Sequence, residues 1–161
     1  MTPAGETGDG APEPTGRGDQ SRRALWASRS PGKVVARFAA GQVLKGYADF
    51  DPDRPRFRLV SIDDPKGKGI EIRVKDLKAL FFVRSFAGNP AYSESKDLYQ
   101  SRPPGTRKVH VEFVDGEELV GHMTQDPFGR AGFFFSPLDP RSNNVRVFAV
   151  HGSVSRVKRL L

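Results

Sequence analysis

From residue 33 onward, apolar and polar side chains alternate. Val34, Ala36 and Phe38 fall on one side of an extended segment, with Val35 and Arg37 on the other. Val109, Val111 and Phe113 repeat the pattern against His110 and Glu112. A two-residue period predicts half-buried β-strands. Each run stops at a turn, Ala40-Gly41 and Asp115-Gly116, and the second is the stronger hairpin signal because Gly accepts positive φ at little steric cost. In the strands that follow, Leu44, Gly46, Ala48 and Phe50 share a face, as do Leu119, Gly121 and Met123. A glycine on an inward face predicts a sharp bend or a close backbone approach. Shorter strands are expected at 57–61 and 133–136, at 70–74 and 145–150, and at 79–83 and 154–158. The last pair follows tight turns at Lys75-Asp76 and His151-Gly152.

These two series align with each other. At an offset of 75 residues, eight of the twenty paired positions between 33–52 and 108–127 are identical, and they concentrate on Phe, Gly, Leu and Asp-Pro. Further along, Phe57 falls over Phe133, and at an offset of 77 Leu80 falls over Val157. The expectation is a tandem duplication in an all-β chain of two five-stranded SH3/Sm-like barrels. The boundaries are 1–32 for a tail, 33–84 for the first barrel, 85–107 for a linker and 108–161 for the second barrel. Such small barrels bury only about 60% of their unfolded surface, so the two copies are expected to pack on each other. In this reading one merged sheet would overturn the two-unit premise and the binding surface argued from it. Within the linker, 90–98 could form a short helix between proline- and glycine-bearing ends.

Composition sharpens the ends of the chain. Residues 1–32 hold six of the 17 Gly and four of the 13 Pro but a single aromatic, Trp26, and they are expected to be disordered. No run approaches the ~18 apolar residues of a membrane-spanning helix, and the first residues lack the apolar stretch of a secretory signal. There is no Cys, hence no disulfide, thiolate metal site or cysteine nucleophile. A cytoplasmic location is the resulting expectation. The net charge of +7 is uneven: residues 33–89 carry 12 Lys/Arg against seven Asp/Glu, a net +5. That excess can attract phosphate or an acidic protein surface.

Two resemblances attach to these residues. Phe38-x-x-Gly41-x-x-Leu44-x-Gly46-x-Ala48-x-Phe50-Asp51 resembles the first signature of Sm-like proteins, and Phe113-x-x-Gly116-x-x-Leu119-x-Gly121-x-Met123-x-x-Asp126 is a looser instance. The resemblance implies an RNA-binding, ring-forming scaffold. The aromatic and asparagine that follow the aspartate in RNA-binding members are replaced by Pro52-Asp53-Arg54 and, in the second copy, by Phe128-Gly129-Arg130. The Arg-Gly or Lys-Gly expected between strands four and five is Lys75-Asp76 in one copy and His151-Gly152 in the other. Residues 33–161 are also similar to an uncharacterised bacterial domain family, through Asp51-Pro52-Asp53-Arg54-Pro55-Arg56-Phe57 and Phe81-Phe82-Val83-Arg84. That family carries no established activity. A PilZ-type cyclic-dinucleotide receptor would use arginines such as Arg22, Arg23 and Arg29, but the companion Asp/Asn-x-Ser-x-x-Gly is missing.

Catalytic chemistry finds no foothold. There is no P-loop, no GxGxxG after a strand and no Ser/His/Asp set in context, so neither catalytic residues nor a cofactor are expected. His110, His122 and His151 show no i,i+4 pairing and no nearby Cys or carboxylate at ligand spacing, and they read as surface histidines without a metal. Asp63-Asp64 and Glu117-Glu118 read as turn residues. The primary expectation is a non-catalytic binding module acting through protein contacts. Its surface would comprise Asp51, Arg54, Arg56 and Phe57, their counterparts Asp126, Phe128 and Arg130, and the outward aromatics Phe82 and Phe134. Arg and aromatic side chains dominate the energetics of protein interfaces. RNA or another phosphate-bearing nucleotide on the basic first barrel is the second expectation.

Overall fold

The structure, a computed structural model, describes residues 32–88, 101–124 and 131–160. The expected tail, the helix at 90–98 and the loop containing Asp126, Phe128 and Arg130 lie outside those residues.

The described chain is all β. The first five strands are β1 (Gly32–Phe38), β2 (Val43–Ala48), β3 (Arg56–Ser61), β4 (Ile70–Arg73) and β5 (Leu77–Val83). The second five are β6 (Arg107–Phe113), β7 (Glu118–Met123), β8 (Gly132–Pro137), β9 (Asn144–Val150) and β10 (Val154–Leu160). A single 3-10 turn leads from β4 into β5 at Val74–Asp76, and another from β9 into β10 at His151–Ser153. Gly41 and Gly116 take φ of 103° and 91° in the two hairpins, as their turns require.

The strands do not close into two barrels. They form one open ten-stranded sheet in the order β10-β6-β7-β8-β9-β5-β1-β2-β3-β4. Each set of five keeps the same internal order, with its fifth strand beside its first. The join is antiparallel pairing of β5 with β9, in the register Ala79↔Ala149, Leu80↔Phe148, Phe81↔Val147 and Phe82↔Arg146. This corrects the expectation of two separate barrels. Packing two units side by side without pairing would leave facing strand edges with unsatisfied N–H and C=O groups in a buried seam, whereas continuing the ladder satisfies them.

The burial pattern fits the shared seam. Along β5 every residue but Phe82 is buried, and along β9 the last four are. A strand covered on both faces reads as a continuous apolar run rather than an alternation. The two faces feed different cores. Leu77 and Leu80 of β5 join Phe148 and Val150 of β9 in a cluster with Val34, Leu59, Ile72 and Val74. Ala79, Phe81 and Val83 join Val147 and Ala149 in a second cluster with Val109, Val111, Phe113, Phe133 and Phe135. Each core therefore borrows a strand from the other half.

Leu77 and Leu80 share a core although they stand three positions apart. The β1–β5 register passes from Arg37↔Ala79 to Phe38↔Leu77, so Lys78 is the extra residue of a bulge. The bulge inverts the alternation and turns Lys78 toward the second core. An equivalent step separates Val154↔Phe113 from Arg156↔Glu112 and leaves Ser155 as the extra residue.

Candidate functional site

The expected surface divides into three parts once its residues are placed. Phe57 is buried and meets Phe50 edge to face at 5.2 Å between centroids. It is a core residue, because the β3 alternation that puts Arg56 and Arg58 outward necessarily puts Phe57 inward.

Phe82 and Phe134 are half-buried at the seam rather than free anchors. Their rings lie 6.1 Å apart, Phe50 contacts both, and Phe148 packs against Phe134 at 4.8 Å with its ring tilted by 60°. The Arg146 guanidinium covers the outer side, 4.7 Å from the Phe82 centroid and 4.3 Å from that of Phe134. Burial lowers the pKa of Arg146 from its ordinary value, but a guanidinium remains charged in proteins. A half-desolvated cation over two rings is a strong contact, so this cluster cements the join between the halves.

The third part stays open. Asp51 accepts the Asp53 N–H at 2.9 Å and pairs with Arg54 at 3.6 Å, which shapes the turn before β3. Arg56 pairs with Glu71 of β4 at 3.5 Å, and Arg73 with Asp76 at 3.0 Å. The Val74 N–H donates to the Pro55 carbonyl at 2.9 Å and fixes the 3-10 turn against the 51–57 loop. The result is a pocket of about 290 Å³ lined by Pro55, Arg56, Arg73, Val74, Lys75 and Ala131. Ala131 belongs to the second half, and His151 N–H donates to its carbonyl at 3.0 Å. The pocket thus has an apolar floor drawn from both halves and three cationic side chains around it. Lys75 makes no ion pair or side-chain hydrogen bond among the described residues.

Sequence reading gave no role to Lys78, Glu117 or Arg73. Lys78, 5% exposed, binds Asp115 at 2.6 Å and Glu117 at 2.7 Å, while its ammonium sits 4.8 Å from the Phe113 centroid. Arg37 adds a second cation to Glu117 at 3.0 Å. The hydrogen bond from Lys78 and the Glu117 N–H hold the Asp115 carboxyl below its ordinary value. Glu117 and Asp115 were legible only as turn residues. A lysine set in the apolar run of 77–83 signals that a counter-ion is needed but not that these two residues supply it.

The outward histidine of β6 also has company. His110 Nδ1 lies 3.5 Å from Glu112, and its Nε2 lies 3.3 Å from Glu118. The expectation of no carboxylate at ligand spacing fails here because residues i and i+2 share a strand face and the hairpin register supplies the third group. Among the described residues no helix is long and apolar enough to cross a membrane.

No curated protein and no solved structure matches the chain. One family, described as a Family of unknown function (DUF6982), matches residues 30–160, from just before β1 to the last residue of β10. With every strand inside that match, the chain belongs to this family.

Proposed function

We propose that the protein is a non-catalytic binding module whose ligand is an acidic, partly apolar segment of a protein partner. The pocket beside the 51–57 loop carries this reading: Pro55 and Ala131 offer an apolar seat above the buried Val74, and Lys75 offers positive charge beside Arg56 and Arg73, each of which is paired to a carboxylate. An apolar anchor ringed by cations suits a side chain flanked by carboxylates. The merged sheet removes the two-barrel basis of the expected surface, and the proposal rests instead on the pocket, whose lining spans both halves through Val74 and Ala131. For the scaffold we propose a copied Sm/SH3-like unit in a bacterial cytoplasmic protein. Support comes from the shared strand order of the two halves, their matching glycines and their matching bulges.

The second reading, RNA on the net-positive first half, is favoured by Arg54, Arg56, Arg58, Arg73 and Lys75 on neighbouring surface. One titration series separates the two. The probes are a synthetic peptide alternating Glu with Leu and Phe, and mixed-sequence single-stranded RNA, each followed by fluorescence anisotropy at low and moderate salt. The protein reading expects saturable peptide binding that Arg73→Ala with Lys75→Ala weakens about tenfold, a loss of about 1.4 kcal/mol. RNA binding that falls with a log–log salt slope of about −0.7 per phosphate contact, without peptide binding, overturns it in favour of the second.

A further inference from the structure

We infer that the outer face of the β6–β7 hairpin holds a divalent transition-metal site formed by His110, Glu112 and Glu118. His110 and Glu112 stand two residues apart on β6 and so project from the same face. The β6–β7 register sets Glu118 directly opposite Glu112 and diagonal to His110. One ligand atom from each of the three lies within 4.8 Å of the others. Glu112 faces Nδ1 and Glu118 faces Nε2, so one carboxylate turns toward the other's ring nitrogen for a single ion to take all three.

Two further observations favour a site over a solvated patch. Directly opposed carboxylates such as Glu112 and Glu118 repel each other across an antiparallel pair, and a cation between them removes that cost. At the 75-residue offset the same three positions in the first half are Val35, Arg37 and Val43. The scaffold therefore folds without this constellation, and the triad is a property of the second half alone. His110 is mostly covered and both Glu112 and Glu118 reach water, so the ring is held while solvent completes the coordination. An imidazole with two carboxylates suits Zn²⁺ or Mn²⁺ better than Ca²⁺ or Mg²⁺, which take oxygen ligands. Arg156 and Lys158 stand opposite Glu112 and His110 on β10 and are the cations that would compete with the metal.

The test uses the full chain, freed of metal by chelation and titrated with Zn²⁺ and with Mn²⁺ in a calorimeter, alongside histidine ring NMR. Saturable one-to-one binding with shifts confined to the His110 ring is expected. Glu118→Gln, which alters an exposed side chain, should weaken binding about tenfold or more, and His110→Ala should abolish it. His122→Ala and His151→Ala serve as controls and should leave it unchanged. If neither metal saturates, if binding survives His110→Ala or is unchanged in Glu118→Gln, or if it follows His122 or His151, the assignment is overturned. It is equally overturned if Arg156 and Lys158 must be removed before any metal binds.

Discussion

Lys78 and its two carboxylates differ in what each would leave behind if removed. The ammonium is 6% exposed at the side chain, whereas Asp115 and Glu117 are 50% and 30% exposed. Replacing Lys78 by Met leaves two carboxylates that can turn to water and a flexible apolar chain over Phe113. Replacing both carboxylates, Asp115→Asn with Glu117→Gln, leaves a buried ammonium with no counter-ion, a defect that typically costs about 3–5 kcal/mol. Urea denaturation should therefore place the double variant well below Lys78→Met in midpoint. The pH dependence has the matching sign. Because the folded Asp115 pKa lies below its ordinary 3.8, its contribution is fully present above that value and is lost as pH falls through the lower folded one. Denaturation midpoints across pH 5 to about 2 should fall less steeply in Asp115→Asn than in the parent. None of this was legible in sequence, since a lysine in an apolar run does not announce which distant hairpin will neutralise it.

At the scale of a strand, the second strand of each half is shaped by one glycine. A Cβ on Gly46 would collide with the Val60 carbonyl and come within 2.7 Å of Leu59, and one on Gly121 would collide with the Ser136 carbonyl and come within 2.7 Å of Phe135. Backbone cannot yield there without breaking the β2–β3 or β7–β8 ladder. Gly46→Ala and Gly121→Ala should each destabilise by about 1–3 kcal/mol, the range for overpacking. Gly152→Ala, which meets nothing within 4 Å, is the thermal-melting control and should be nearly neutral. These glycines were readable from the sequence because the polar–apolar period placed them inward twice at the same spacing. The strand positions were readable for the same reason. The bulges at Lys78 and Ser155 were not, because a single extra residue leaves no compositional mark.

Across the whole molecule, the β5–β9 seam decides how the protein behaves. Alternation could locate ten strands, yet it is silent on which edges meet, and the apolar run of β5 fits a strand buried by its own barrel as well as one shared by two cores. Sharing makes the halves interdependent. Phe148 is 1% exposed and packs in the core of the first half while sitting on a strand of the second. Phe148→Ala should cost about 3–5 kcal/mol, and hydrogen exchange should show protection falling together in β1 and β6. Loss confined to one half would mean the seam does not couple them. The same join also leaves the sheet with two unlike ends. Among the described strands, β10 and β4 each have a neighbour on one side only, and they carry Arg156, Lys158 and Arg159 at one end and Arg73 beside Arg56 and Arg58 at the other. The β10 end is thus electropositive, while on β4 Arg73 stands with Glu71, so a copy that approaches to extend the ladder through β10 meets like charge where the interior seam has phenylalanine. At that end, charge opposes the addition of another copy's strand.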